Sequence, residues 1–256
     1  MILIATPISE LFNDDQQALR INSLSDALEC RELTKNLYFQ NELLFHFDEN
    51  IVCLWDSKTK SYLQDSILSK KELQLISFHV SSCCLDPILK DGFFYKNIHV
   101  YSEFEMESNV QKNIDWLRTW LNPRIKVAIE NNNYYPTEAY DVITEASFLR
   151  KLVYQNQIFF LFDIAHAHIT SRNRNIDYVK YKEELPLEKA IQIHISGYDY
   201  RWELCIDAHE LPSIELIDEA VSLAKKYFVE FLTVEYYKNV KELLSMLALL
   251  RNRLSL

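Results

Sequence analysis

Eight short apolar segments, separated by polar or amphipathic sequence, constrain the fold of this chain more than any other feature. Near-continuous apolar runs are typical of strands that are covered on both faces, as in a parallel sheet. Apolar residues recur at helical spacing between them, for example in residues 108–121, 138–153, 213–228 and 240–254. Such alternation predicts βαβ units. The predicted strands are residues 2–6, 26–31, 75–80, 98–103, 125–130, 158–163, 191–195 and 232–235.

Eight strands alternating with helices predict an α/β protein, a (β/α)8 TIM barrel in which residues 1–256 form a single domain. Residues 43–55 break the alternation, because two apolar runs there flank the polar residues Asp48, Glu49 and Asn50. Two such runs around a polar turn are typical of a hairpin. We therefore predict a small hairpin insertion before the third barrel strand, residues 75–80.

Composition narrows the possible functions. The two glycines, Gly92 and Gly197, are too few for a P-loop or a Gly-rich dinucleotide fingerprint. A formal net charge of -10 disfavours nucleic acid as a partner, since phosphate contacts need clustered Lys and Arg. Five cysteines without zinc-site spacing predict free thiols in a reducing compartment. With neither a signal peptide nor a long apolar run in the sequence, we predict a cytoplasmic protein without a membrane partner.

Imidazole and carboxylate side chains recur where the predicted strands end. In a parallel barrel the carboxyl ends of all strands meet at one mouth, where such folds hold their chemistry. Four histidines and four carboxylates should therefore converge at this mouth. They are His79, Glu130, Asp163, His166, His194, Asp207, His209 and Glu235.

This ligand set predicts a metal centre. A single histidine at a strand end is more often structural, but the same residue types recur here at five strand ends and in a following loop. Burying several carboxylates together is costly unless cations compensate them. Imidazole and carboxylate together suit zinc, iron or manganese. Eight ligands exceed the needs of one ion, so we predict two or three ions that share carboxylates.

Three of these motifs resemble the xylose-isomerase-like barrel superfamily, which includes the AP-endonuclease type: Phe162-Asp163-Ile-Ala-His166, His194-Ile195-Ser196-Gly197 and Asp207-Ala208-His209. A closer resemblance is to the multinuclear non-haem iron oxidative enzymes of the methanobactin-biosynthesis type. It is carried also by Glu130-Asn131, Ser102-Glu103 and Thr170-Ser-Arg-Asn173, and it extends from about Ser77 to the C-terminus and, more faintly, from Ala27-Leu28-Glu29.

The resemblance implies particular roles for residues. Glu130, Asp163 and His194 would be catalytic, with Glu130 bridging metals, and Asn131, Arg172 and Tyr198 would lie near the substrate. The sequence departs from the iron family at Phe104, where the family has His, at His166, where it more often has Asn, and at Tyr198, where it has a second His. The three implied metal positions are Glu130, Asp163, His194 and Glu235; then His166, Asp207 and His209; then His79 with a shared Glu130.

The function that the resemblance implies is oxidative modification of a cysteine in a ribosomally synthesised peptide. Such enzymes coordinate the peptide thiolate to iron and activate O₂, and a partner protein presents the small peptide. Two alternatives stay open. One is a hydrolase or sugar isomerase of the AP-endonuclease or xylose-isomerase-like type with zinc or manganese, which His166 favours. The other is a non-catalytic binding protein on the same fold, which Phe104 favours.

Overall fold

The computed structural model describes residues 1–32 and 39–255 of the chain. Eight strands form a closed parallel barrel in the spatial order β1-β12-β9-β8-β7-β4-β3-β2, which confirms the predicted TIM barrel. The other four strands form two antiparallel ribbons, β5-β6 and β10-β11. The strands are β1 (Leu3–Pro7), β2 (Ala27–Cys30), β3 (Glu42–Asn50), β4 (Leu75–His79), β5 (Ile88–Lys90), β6 (Phe93–Tyr95), β7 (Lys126–Glu130), β8 (Phe159–Asp163), β9 (Ala190–Ile195), β10 (Gly197–Arg201), β11 (Leu204–Glu210) and β12 (Phe231–Val234).

Helices follow the barrel strands along the chain. They are α1 (Asp15–Leu24), α2 (Ser57–Leu68), α3 (Glu103–Arg118), α4 (Ala146–Gln155), α5 (Ile164–Asn173), α6 (Tyr178–Glu184), α7 (Ile214–Tyr227) and α8 (Val240–Ser255). Side-chain caps begin several of them, and Ser102 forms a full capping box with Glu105 at the start of α3. None of the helices in the described ranges is long and apolar enough to cross a bilayer.

An apolar layer fills the barrel interior below the strand ends, with one buried side chain from each barrel strand. Its members are Ala5, Ala27, Leu44, Leu75, Ala128, Leu161, Ile191 and Phe231. Side chains along a strand alternate between its two faces, so residues two positions further on also point inward. On four strands those residues are Glu29, His46, Glu130 and Asp163. The barrel thus carries a polar layer directly above an apolar one.

Two of the strand predictions are wrong. The predicted hairpin insertion at residues 43–55 does not exist, because β3 (Glu42–Asn50) pairs in parallel with both β2 and β4 and is itself the third barrel strand. Residues 98–103 are not a barrel strand. Cys84 and Val100 form only an isolated bridge there, and Ser102 already caps α3. One predicted barrel strand is absent and one that was not predicted, β3, is present, so the barrel still has eight strands. His79 therefore lies on the fourth barrel strand and not on the third.

Candidate metal centre

Three compact groups of potential ligands lie at the carboxyl ends of the barrel strands within the described part of the chain. In each group the ligand atoms all lie within 4.8 Å of one another. We call them the His46 group (His46, His79, Glu130), the Glu29 group (Glu29, His194, Glu235) and the His166 group (Glu130, Asp163, His166). Glu130 belongs to two of the three groups, so it lies where a bridging carboxylate would be expected.

The His46 group joins β3, β4 and β7. His46 Nε2 lies 2.8 Å from His79 Nε2 and 3.4 Å from Glu130 Oε2, while His79 Nδ1 lies 2.9 Å from the same oxygen. The other ring nitrogen of His46 is 2.7 Å from the Ser77 hydroxyl. Burial, followed by the nearby charge of Arg31, lowers the pKa of His46 to about 4. His46 is therefore neutral at pH 7, the form in which imidazole binds metals.

The Glu29 group joins β2, β9 and the residue that follows β12. His194 Nε2 lies 3.0 Å from Glu29 Oε2, and His194 Nδ1 lies 3.3 Å from Glu235 Oε2. Arg31 donates to Oε1 of both glutamates, and the Tyr237 hydroxyl donates to Glu235 Oε1 at 3.1 Å. Burial opposes ionisation of Glu29, but the charges of Arg31 and His194 outweigh it and lower the pKa of Glu29 to about 2.

The His166 group lies where β8 passes into α5. Asp163 is the N-cap of this helix, and its Oδ1 accepts a 2.7 Å hydrogen bond from the backbone N–H of His166. Burial raises the pKa of Asp163 to about 8, although the neighbouring His166 opposes the shift. The Asn131 amide bonds the backbone of Asp163 in both directions, at 2.8 and 2.9 Å, so Asn131 holds this carboxylate in place. His166 Nε2 reaches Asp207 Oδ2 at 3.4 Å.

The β10-β11 ribbon carries Asp207 and His209 back towards the mouth. His209 Nε2 lies 3.7 Å from Glu235 Oε2, and His209 Nδ1 lies 3.6 Å from Asp207 Oδ1. His209 has a backbone φ of 43°, a left-handed conformation that is uncommon for residues other than glycine and is typical of functional sites. The ribbon packs tightly at Gly197, where an added Cβ would lie 2.8 Å from the Leu211 carbonyl oxygen.

All eight predicted ligands thus lie at the mouth, but their grouping differs from the implied one. Glu130, Asp163, His194 and Glu235 are divided among the three groups, and His166, Asp207 and His209 form a chain of pairwise contacts. The implied position of His79 and Glu130 has a second imidazole in the structure, because His46 lies beside His79. Phe104, where the family has His, lies in the first turn of α3 and is 78% exposed.

His46 and Glu29 were missed by the sequence analysis. His46 lies two residues after Leu44 in an apolar run. Residues spaced by two share one face of a strand, so the run was compatible with a strand that points both side chains inward. Because that run was assigned to a hairpin, its histidine was not considered as a ligand. Glu29 lies inside a predicted strand, at residues 26–31, and no strand-end signal marks it.

Three buried atoms of the centre lack a hydrogen bond of good geometry: Glu130 Oε2 and His194 Nδ1, which have only ion-pair contacts at 2.9 and 3.0 Å, and Asp163 Oδ2. Buried polar atoms without partners are rare and costly in folded proteins. All three lie within the ligand groups, and their side chains are of the types that bind first-row metals. The residues present therefore fit bound metal ions.

A cavity of about 520 Å³ lies beside the β10-β11 ribbon and α5. Arg172 lines it, with its guanidinium carbon 5.5 and 5.8 Å from the ring centres of Tyr198 and Tyr200. Arg172 also donates a 3.3 Å hydrogen bond to the Tyr198 hydroxyl. Tyr198 pairs with Asp207 across the ribbon, whereas none of the predicted ligands lines the cavity itself.

A closed parallel barrel with a carboxylate and histidine cluster at its strand ends defines a TIM-barrel protein with a candidate metal centre. The fold is similar to that of a D-tagatose 3-epimerase-like protein (TM-score 0.64, 15% identity, covering 99% of this chain and 97% of that chain). It is also similar to 3-keto-D-glucoside 4-epimerase from E. coli (TM-score 0.63, 12% identity, covering 98% and 100%). The family model described as RiPP precursor modification enzyme MbnB/TglH/ChrH matches residues 60–250. The chain belongs to this enzyme family, which confirms the resemblance found in the sequence.

Curated relatives are similar over shorter stretches. A UPF0276 protein of Caulobacter vibrioides is 31% identical over 84 residues, which are 33% of this chain and 30% of the relative. A UPF0276 protein of Nitrosospira multiformis is 24% identical over 157 residues, which are 61% of this chain and 52% of the relative. The matches thus span between about a third and a half of the relatives' length.

Proposed function

We propose that this protein is an iron-dependent enzyme that oxidatively modifies a cysteine of a ribosomally synthesised peptide. The observation that carries the proposal is the convergence of three ligand groups on one mouth, with Glu130 shared by two of them, in a member of a peptide-modifying family. Membership supports a peptide as the substrate class. Iron, the cysteine and a partner protein that presents the peptide are our further proposals.

The charge of the centre supports both the number of ions and the substrate. Among the residues that the structure describes, the five carboxylates of the centre and the guanidinium of Arg31 sum to a formal charge of -4 when the histidines are neutral. Two divalent cations would neutralise this charge, and a third would leave a charge of +2 and call for further anions. A cysteine thiolate of the substrate would supply such an anion. The carboxylates are Glu29, Glu130, Asp163, Asp207 and Glu235.

Each predicted ligand would bind a particular ion. Glu130 would be shared by an ion at the His46 group and a second ion that Asp163, His194 and Glu235 would also hold, since His194 Nδ1 lies 3.0 Å from Glu130 and 3.3 Å from Glu235. His166, Asp207 and His209 would hold an ion on the side of the ribbon. Bound iron would supply redox chemistry and a Lewis-acidic position for a thiolate, which redox-inactive metals would supply only in part.

The substrate peptide would enter beside the ribbon. The cavity lined by Arg172 and Tyr200 adjoins Tyr198, which pairs with Asp207. A guanidinium held over two aromatic rings can bind a carboxylate of the peptide while the rings contact its apolar groups. We propose that Arg172 and Tyr198 position the peptide so that its cysteine reaches the metal centre.

Elemental analysis of protein purified without chelator tests the proposal. We expect two or three irons per chain, with loss of at least one in His194→Ala and none in the matched control His99→Ala, since His99 is exposed and outside the centre. The iron-loaded protein should then consume O₂ and change the mass of a peptide that contains cysteine, but not of the same peptide with serine in its place.

The same experiment separates the alternatives. Stoichiometric zinc or manganese without O₂ consumption would favour a hydrolase or isomerase, the second candidate. His166 favours this candidate, because it adds an imidazole of the kind that zinc prefers. Protein that holds no metal in either variant would contradict an enzyme of either type and favour a binding protein.

A further inference from the structure

Glu29 and Arg31 join His194 and Glu235 in a closed ring of polar contacts at the bottom of the metal centre. Arg31 donates to Oε1 of Glu29 at 2.5 Å and to Oε1 of Glu235. His194 contacts Oε2 of the same two glutamates, at 3.0 Å through Nε2 and at 3.3 Å through Nδ1. Each glutamate therefore turns one oxygen to the guanidinium and the other to the imidazole.

The contact with Glu29 determines how His194 can act. A carboxylate that accepts from one imidazole nitrogen keeps the proton there and leaves the lone pair on the other nitrogen. Glu29 Oε2 and the Gln192 amide nitrogen each lie 3.0 Å from His194 Nε2. An ionised carboxylate can only accept, so its contact calls for the proton on Nε2 and the lone pair on Nδ1 when a metal is bound. Nδ1 faces the carboxylates that would hold the metal, 3.0 Å from Glu130 Oε1 and 3.3 Å from Glu235 Oε2.

Arg31 has a matching effect on Glu235. Arg31 and the Tyr237 hydroxyl both donate to Oε1 of Glu235, which leaves Oε2 directed at His194 and His209. Both oxygens of Glu29 are engaged as well, because Oε1 accepts from Arg31 and Oε2 accepts from His194 and Gln192. The positive charge of Arg31 further compensates the two glutamates without an ion.

We propose that Glu29 and Arg31 are positioning residues, which aim His194 Nδ1 and Glu235 Oε2 at the metal, and that Glu29 itself binds no ion. Of the three ligand groups, the Glu29 group is thus the support of the centre and not a separate metal site. This inference rests on the proposed metal binding, but it holds for iron, zinc or manganese alike.

Co(II) titration of chelator-treated protein, followed by visible absorption, tests this role through metal affinity and not through activity. Glu29→Leu removes the acceptor for Nε2 and should weaken Co(II) binding by about 10- to 100-fold, the usual effect of losing such a partner. Glu29→Gln keeps a carbonyl oxygen at this position, so it should weaken binding by less than about tenfold. The matched control is Glu42→Gln, which alters a buried carboxylate on β3 that is paired with Lys70 outside the centre. Its Co(II) affinity should equal that of the wild type.

The tautomer gives a second readout, which does not depend on whether Glu29→Leu folds. Imidazole ¹⁵N spectra of the zinc-loaded wild type and Glu29→Gln should both show His194 protonated at Nε2. Protonation at Nδ1, or equal Co(II) affinity of Glu29→Leu and the wild type, would overturn this inference but not the proposed function. Loss of a whole Co(II) equivalent in Glu29→Gln would also overturn it, because Glu29 would then be a ligand. A wild type that binds no Co(II) would overturn both this inference and the proposed function.

Discussion

Glu219 is a partly buried charge beside the cavity, and its contribution to the stability of the fold can be tested. Its carboxylate accepts hydrogen bonds from the Tyr178 hydroxyl at 2.7 Å and Lys182 Nζ at 2.5 Å, and it lies 3.5 Å from His168 Nε2. Burial alone would raise the pKa of Glu219, but the contacts with His168, Lys182 and Tyr178 outweigh it and lower the pKa to about 2. His168 and Tyr178 line the cavity beside Arg172.

The size and pH range of the effect follow from this shift. A pKa that falls from 4.5 in the unfolded chain to about 2 in the folded protein corresponds to about 3 kcal/mol of stability. The side chain is 20% exposed, so solvent should screen a part of this contribution and about 3 kcal/mol is its upper bound. A lowered pKa favours the folded state above the unfolded value. The contribution should therefore be complete above about pH 5 and less than half as large at about pH 3.

Urea unfolding of the metal-free protein at both pH values measures the contribution. Glu219→Gln should lower the free energy of unfolding by up to about 3 kcal/mol at pH 7 and by less than half of that at pH 3. The control Asp218→Asn lies one residue earlier on α7, where Asp218 forms an exposed ion pair with Arg253, and should cost less than about 1 kcal/mol. A loss of equal size at both pH values would refute the electrostatic reasoning and point to packing.

Three further predictions concern the centre itself. His46→Ala should lower the metal content by about one ion per chain and leave the other ions in place, because only the His46 group contains this side chain; His99→Ala should not change the content. Gly197→Ala should destabilise the protein by roughly 1–3 kcal/mol in thermal or urea unfolding, since the new Cβ would meet two backbone carbonyl oxygens at 2.8 and 2.9 Å. Phe104→His should bind no additional metal in elemental analysis, because this position is exposed on α3. A gain of one ion there would contradict the grouping of the ligands.

The fold could be predicted because the barrel depends on a pattern that the sequence displays repeatedly. Strands buried on both faces need apolar runs, and the runs at residues 125–130, 158–163 and 191–195 could hardly form anything else. The pattern fails where a strand carries polar residues into the mouth. β3 ends in Asp48, Glu49 and Asn50, which resemble a turn in the sequence; Asp48 and Glu49 interrupt the register with β4, and Asn50 resumes it opposite His79.

The candidate site was predictable at strand ends and less so within strands. Glu130 and Asp163 end their strands, so a rule about parallel barrels was enough to bring them together. Glu29 has the same inward direction, but its role depends on which side chains face it across the barrel. Arg31 follows Glu29 by two residues, a spacing that puts both on one face, but His194 comes from β9 and no spacing links it to them.

In the metal-free centre, protons offset the negative charge of the carboxylates, as metal cations would in the loaded protein. Burial opposes protonation of His194 and His166, but the surrounding carboxylates outweigh it and raise the pKa of both histidines well above the usual value. Burial likewise raises the pKa of Asp163 to about 8. At pH 7 these groups therefore carry protons in the absence of metal. Metal ions require the neutral imidazole and the ionised carboxylate, so loading must release protons and the affinity must fall as the pH is lowered. Calorimetric titration with Zn(II) in buffers of different ionisation enthalpy counts the released protons. We expect two to three protons per chain, and a heat that does not depend on the buffer would contradict this account of how the centre folds before it is loaded.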